Sequence, residues 1–527
     1  MVQSVKNRIL IYDTTLRDGA QGEGISLSVL DKLKIAKKLD SLGVHYIEGG
    51  WPASNPKDMD FFHQIKDYGL KTAKISAFTS TCRPGQSAAE DNNLLAVLAA
   101  EVSVVCIVGK SWDFHVEQAL RTTLEENRRM IRDSVRFLKE KGIEVIFDAE
   151  HFFDGFRANP IYARQCIAEA VKAGADCICL CDTNGGSMPW DIENIVAQVK
   201  REFACPLAIH THNDSELAVV NSLAAVKAGV TQVQGTINGY GERCGNANLC
   251  SVIPNLQLKL GYQCLDEGRI RYLTEVSHFI AEIANMPHNG QQPFVGRAAF
   301  AHKGGIHVSA ILRNSGTYEH LDPALVGNRR RVLVSELSGV SNLLFKAEEF
   351  GIKTDEISAE GRQTIEYIKE LENEGYQFEG AEASLELLLR RAFGKYEDFF
   401  ELEKLRIIVG TNGGSAFGAE AIIKIKVNDV EVHTAAEGNG PVNALDNALR
   451  KALGQIYPCI QNIRLTDYKV RVLDEKEGTE AKVRVLIETS DSVDTWSTVG
   501  VSENIIEASF QALMDSVNYT LLKKGTQ

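Results

Sequence analysis

Residues 206–214 read PLAIHTHND, an apolar run whose far end turns polar. In a strand, alternate side chains share a face. His210 and His212 therefore aim at one point, where a metal ion could sit. Far upstream, the strand-like ILIYDTTLRDG (9–19) ends in the charged pair Arg17-Asp18. If the two strand ends meet in space, Asp18 completes a site of two imidazoles and one carboxylate, with room left for substrate.

The same texture recurs along the first half of the chain. Apolar runs fall at 9–15, 46–51, 71–80, 102–111, 144–152, 176–186, 206–214 and 231–242. Helical patterns separate them, such as SVLDKLKIAKKLDSLG (28–43) and LEENRRMIRDSVRFLKEKG (124–142), with Leu, Ile or Val at three- and four-residue spacing. Gly43 and Gly142 stop these two helices, as C-terminal glycines do. Eight strands, each but the last clearly followed by a helical segment, predict an α/β fold with an N-terminal (β/α)8 TIM barrel over residues 1–265. An open doubly wound sheet is the competing reading. It would gather its polar groups at one switch point, whereas here they crowd nearly every strand end.

Residues 266–395 read as helical linker subdomains, with AEGRQTIEYIKELENEG (359–375) and AEASLELLLRRAFG (381–394) as clear helices. Residues 396–527 change texture again. Three strands (405–411, 420–427, 430–436) and a helix (441–456) are followed by three more strands (468–474, 480–489, 496–502) and a second helix (503–522). This is a duplicated βββα unit, the signature of one pseudo-symmetric module.

Bulk properties exclude several classes. A chain of 527 residues with net charge −13 and no basic stripe argues against nucleic-acid binding. No secretory signal and no apolar stretch long enough for a membrane span is evident. The 11 cysteines are scattered and odd in number, which fits reduced thiols and a cytoplasmic location. Cys177, Cys179 and Cys181 alternate along one run and read as small apolar residues of a buried strand.

Catalytic groups of such barrels cluster where strands end. Those ends offer Arg17, Asp18 and Gln21; Glu48 and Trp51; Asp148, Glu150 and His151; Asp182, Thr183 and Asn184; and His210, His212, Asn213 and Asp214. Asp182 and Asp214 read as groups that orient neighbours. A bound divalent ion would polarise a carbonyl oxygen, and Arg17 would stabilise the developing charge. Thr183 could hold a carboxylate. The set suits activation of an α-keto acid as an electrophile. The loop GYGERCGNAN (239–248) supplies Gly239, Gly241, Glu242, Arg243 and Asn246. Its glycines suit any tight turn, yet after the eighth strand the loop could approach a nucleotide tail. Cys244 reads as filler. FAHKGGIHVSAILRNSGTY (300–318) lies outside the barrel and carries His302, His307 and Tyr318, which must fold over a site or reach a neighbouring subunit.

DTTLRDGAQGEG (13–24), HTHND and GYGERCGNAN resemble the metal-dependent acyl-CoA/α-keto acid condensing barrels, the isopropylmalate, homocitrate and citramalate synthases. The resemblance covers essentially the whole chain. EGGWPASNPKD (48–58), DAEHFFDGF (148–156) and AHKGGIHVSAI (301–311) are most similar to the citramalate-forming branch. The resemblance implies a divalent metal (Mn, Zn, Mg or Co) on Asp18, His210 and His212, with Asn246 as a further contact. It implies that Arg17, Gln21, Thr183 and the 239–243 loop bind substrate, and that Glu150 stands near the reacting groups. His307, aided by Tyr318, would deprotonate acetyl-CoA from the partner subunit of a homodimer. Pyruvate is the implied keto acid, with 2-ketoisovalerate and 2-oxoglutarate as alternatives. The C-terminal repeat is similar to an allosteric domain, which implies feedback inhibition by isoleucine. A retro-aldol acyl-CoA lyase using Cys244 and a catalytically dead amino-acid sensor are the readings from other classes.

Overall fold

A computed structural model describes residues 6–335, 338–352, 360–394, 396, 398–411, 417–427, 430–473 and 481–524. The chain divides into two compact units, Met1–Phe300 with Leu321–Arg329, and Ala301–His320 with Arg330–Gln527.

In the first unit the eight runs form a closed barrel whose strands neighbour one another in chain order. They are β1 (Leu10–Asp13), β2 (Tyr46–Gly50), β3 (Lys74–Ser80), β4 (Val104–Lys110), β5 (Glu144–Glu150), β6 (Cys177–Asp182), β7 (Leu207–Thr211) and β8 (Gln232–Gly235). All eight pairings are parallel, and β8 returns to β1 with Val233 opposite Ile11. Alternation sorts the side chains. Ile11, Ile47, Val105, Phe147, Ile178 and Ile209 join the main core with the helices, whereas Tyr12, Phe78, Cys106, Ile146, Cys179 and Cys181 pack in a separate inner cluster. The cysteine run is buried in this inner cluster, and Cys179 and Cys181 also stand with Asp148 in a group whose possible ligand atoms all lie within 4.8 Å of one another.

Local signals set the helices. In α1 (Val29–Leu42), Ser28 caps through a reciprocal box with Asp31, and left-handed Gly43 closes the end. The helix Leu124–Glu140 turns Met130, Ile131, Val135 and Leu138 inward. All eight strands are shorter than their apolar runs, and two of the early ends shape the site. β8 stops at Gly235 because Asn238 (φ 63°) and Gly239 (φ 70°) turn the chain. β7 stops at Thr211, so His212 lies just beyond it, bridged to Asn246.

In the second unit a short parallel pair (Ala301–His302 with Arg331–Val332) precedes a helical stretch that includes Gly305–Arg313, Val340–Glu349 and Glu382–Ala392. Two antiparallel three-stranded sheets follow. Glu401–Thr411, Phe417–Val427 and Val430–Gly438 form one, backed by the helix Pro441–Leu453. Arg464–Val472, Val483–Ser490 and Thr495–Ser502 form the other, backed by Ile505–Lys524. Ile423, Ile425, Leu445 and Leu449 of the first repeat share one buried core with Val485, Ile487, Ala512 and Val517 of the second. The glycine-rich stretch 410–421 lies partly outside the described residues. Among the described residues, no helix is long and apolar enough to cross a membrane.

Candidate active site

The strand ends carrying Asp18 and the two histidines do meet. His210 Nε2 lies 3.2 Å from Asp18 Oδ2 and 3.3 Å from His212 Nε2. The three residues are buried, and their ligand atoms all lie within 4.8 Å of one another. Asp18 follows β1 on a turn closed by Gly19 N–H donating to Thr14 O (3.0 Å). Burial opposes the Asp18 charge, but Arg17 and then His210 outweigh it and hold the carboxyl well below its ordinary range. Burial, followed by the neighbouring His210, pushes His212 down to about 3. His212 is therefore a neutral imidazole, the form that ligates metals.

The loop after β8 completes this cluster. Gly245 has φ 86°, and a Cβ there would lie 1.9 Å from Gly239 O. A Cβ on Gly241 would lie 2.7 Å from Asn246 Nδ2. Both glycines thus permit a tight closure, in which Asn246 N–H donates to Gly239 O (3.1 Å) and Ala247 N–H to Thr211 O (2.9 Å). The closure buries Asn246 beside His212, and Asn246 Oδ1 and His212 Nδ1 are buried without a partner. Orphaned buried polar atoms are costly. Two imidazoles, a carboxylate and a spare amide oxygen are donors that fit a divalent cation.

Arg17 is fixed beside this cluster. Its Nε donates to Glu48 Oε2 (2.5 Å), its Nη1 lies 3.4 Å from Asp18 Oδ2, and its guanidinium sits 3.9 Å from the Phe78 ring centroid. Glu48 in turn accepts from the Tyr12 hydroxyl (2.8 Å). Burial works against the Arg17 charge, yet Glu48 and then Asp18 outweigh it and raise its pKa further. A cavity of about 440 Å³ opens on these groups, and Gln21, Glu150, Thr183, Glu242 and Arg243 also line it. Glu150 pairs with Lys110. Thr183 Oγ1 accepts from His151 N–H (2.9 Å), and Arg243 donates to Thr183 O (2.7 Å) and to both Asp214 oxygens (2.7 and 2.9 Å). Asp182 accepts from Ser187 (2.7 Å), which shapes the turn after β6. Eleven of the strand-end and loop positions singled out from sequence thus share one cavity: Arg17, Asp18, Gln21, Trp51, Asp148, Glu150, Thr183, His210, His212, Glu242 and Arg243.

His307 and Tyr318 belong to the second unit. Their rings lie 4.2 Å apart on its exposed surface. Glu319 beside them accepts from Arg330 Nε and Nη2 (2.7 and 2.6 Å) and lies 3.2 Å from His302 Nε2. Cys244 is exposed on the glycine loop.

Three contributors escape a strand-end reading. Tyr12 lies mid-strand, and Lys110 looks like an ordinary strand terminus. Gln234 is the third: it contacts His210 Nδ1 (3.0 Å) from β8. The sequence signal for it is the pair Gln232 and Gln234, polar residues at alternate positions of an otherwise apolar strand.

Residues 8–277 match the HMGL-like family, residues 294–376 the homocitrate synthase post-HMGL domain-like family, and residues 379–521 the LeuA allosteric (dimerisation) domain. The chain is 55% identical over 518 residues to a protein of Aquifex aeolicus named (R)-citramalate synthase, covering 98% of each. It is 56% identical over 516 residues to one of that name from Geobacter sulfurreducens, again covering 98% of each. A 2-isopropylmalate synthase of Methanocaldococcus jannaschii is 31% identical, over 99% of this chain and 96% of its own.

Proposed function

Because this chain belongs to the HMGL-like family, in its (R)-citramalate synthase branch, we propose that it condenses acetyl-CoA with pyruvate and hydrolyses the thioester, releasing (R)-citramalate and CoA. The observation that carries this reading is the convergence of Asp18, His210 and His212 beside a charged, immobilised Arg17 in one cavity. Asp18, His210, His212 and Asn246 would hold a divalent cation, which when bound supplies Lewis-acid polarisation to the keto group.

The remaining chemistry falls to side chains. Arg17 keeps its charge because Glu48 and Asp18 flank it. It can pair with the negative charge that grows on the keto oxygen as the new bond forms. Thr183 and the nearby backbone orient the pyruvate carboxylate. The acetyl methyl gives up a proton to a base, and its carbon electron pair forms the C–C bond to the keto carbon. The keto oxygen then takes a proton and becomes a tertiary hydroxyl. Water adds to the thioester carbonyl, the C–S bond breaks, and the CoA thiol leaves with a proton. His307, with Tyr318 against its ring, acts as the base from the partner subunit of a homodimer. Glu150 and Lys110 form a charged pair for the later proton transfers. Gln21, Glu242, Arg243 and the backbone around Gly239 and Gly241 contact the substrates at the cavity mouth.

Phe78, Val108 and Cys181 give the cavity an apolar wall suited to a methyl group. The match of residues 379–521 to the LeuA allosteric (dimerisation) domain supports control through the C-terminal module. Isoleucine is the effector, as the end product of a threonine-independent route that citramalate opens, and the enzyme works in the cytoplasm.

The test is thiol release from acetyl-CoA against pyruvate, 2-ketoisovalerate and 2-oxoglutarate, each with and without chelator. Turnover is expected with pyruvate and is lost on chelation. Faster turnover of another keto acid, or full activity in a demonstrably metal-free sample, overturns the reading.

A further inference from the structure

We propose that Gln234 and Asp148 are positioning residues that fix the proton of His210 on Nδ1 and so keep its Nε2 lone pair free for a cation. This rests on the reading that Asp18, His210 and His212 hold that cation. Both residues are buried inside the barrel, at most 3% exposed. His210 and Gln234 face each other in register on β7 and β8. Gln234 Oε1 lies 3.0 Å from His210 Nδ1, and Gln234 Nε2 donates to Asp148 Oδ1 at 3.0 Å. Asp148 stands on β5, so the chain of contacts spans the barrel interior.

The order of donors decides the outcome. A glutamine amide can present either end to a neighbour. Gln234 turns its NH2 end to Asp148 Oδ1, and its carbonyl end is left facing His210. A carbonyl oxygen can only accept, so His210 must carry its proton on Nδ1. With Nδ1 so occupied, Nε2, 3.2 Å from Asp18 Oδ2 and 3.3 Å from His212 Nε2, is the ring nitrogen left to give its lone pair to a cation. With the amide reversed, its N–H would face Nδ1, the proton would move to Nε2, and that nitrogen could not ligate. Partners of this kind around metal-bound histidines change affinity by about 10- to 100-fold when removed.

The logic is reversible by substitution. Gln234→Glu alone sets two carboxylates face to face. Asp148→Asn alone offers a donor to Gln234 and lets its amide turn over. Together they restore the order. The amide introduced at position 148 donates to one oxygen of the carboxylate introduced at position 234, and the other oxygen accepts from His210 Nδ1–H.

The experiment measures Mn2+ affinity of the full-length protein by electron paramagnetic resonance of the free ion, with circular dichroism confirming the fold. Asp148→Asn alone is expected to bind Mn2+ about 10-fold or more weakly, Gln234→Glu alone to stay near the parent because its carboxylate still accepts from His210 Nδ1–H, and the double variant to return to within about 3-fold of the parent. Parent-like affinity in Asp148→Asn, or a double variant no better than it, overturns the proposal. If the swap does not fold, Gln234→Met decides, because it keeps the volume and removes both hydrogen bonds; unchanged affinity there is fatal. His210→Ala is the control. If it keeps Mn2+ binding, the ligand assignment itself fails, independently of Gln234 and Asp148.

Discussion

Glu48→Gln isolates the device that holds Arg17. The wild-type pair has side chains only 13% and 0% exposed, so water screens it little. Removing one partner from a buried ion pair costs about 3–5 kcal/mol, because the other charge stays desolvated and uncompensated. Glutamine keeps the shape and one hydrogen bond to Tyr12, worth about 1 kcal/mol. Asp18 remains 3.4 Å from the guanidinium as a second anion. The net expectation is about 3 kcal/mol, roughly a 150-fold fall in the folded-to-unfolded ratio of the barrel. Turnover should fall further, since a displacement of about 1 Å in a positioned group costs about 100-fold. Urea unfolding followed by tryptophan emission reads the stability, because Trp51, Trp112 and Trp190 lie in the first unit and only Trp496 in the second. A variant within about 0.5 kcal/mol of the parent, at parent turnover, would refute both the burial cost and the anchoring role assigned to Glu48.

His307→Ala should keep the KM for pyruvate and lose most turnover; near-normal turnover removes it from the base role. Mixing His307→Ala with His210→Ala subunits should regain activity if the two residues serve one site across a dimer, and no recovery argues that each subunit works alone. Asp13 is buried, and burial raises its pKa to about 7 even though Thr15 donates to it twice. A raised folded-state pKa contributes stability that is complete below about pH 4 and is lost as pH climbs through 7, an effect on the order of 4 kcal/mol. Asp13→Asn should flatten that decline in urea titrations at pH 5 and pH 8, and an unchanged pH dependence sinks the assignment. Isoleucine should lower turnover of the full chain but not of a chain lacking residues 400–527; inhibition that survives the deletion puts the effector site elsewhere.

The barrel and the convergence of Asp18, His210 and His212 were legible because their signals are local. Period-two apolar runs alternating with period-three-and-four stretches declare strands and helices wherever they occur. Two histidines at i and i+2 declare a shared direction without any knowledge of the rest of the chain. The βββα duplication showed as a repeat of texture. His212 shows the margin of that reading: it lies one residue past β7, yet a bridge to Asn246 keeps it aimed with His210.

The supporting residues were not legible, for a physical reason. Gln234 is bound to His210 by register between β7 and β8 and to Asp148 across the barrel, 86 positions away along the chain. Tyr12 reaches Glu48 and Ser76 from β1. Such partners are chosen by barrel closure, which brings together positions that carry no mutual mark in the sequence. Residue order alone thus dictates which elements form and which side chains carry charge and lone pairs. Tertiary structure alone decided which of them are desolvated together, and desolvation is what turns ordinary acids, amides and imidazoles into groups with a fixed proton and a fixed charge.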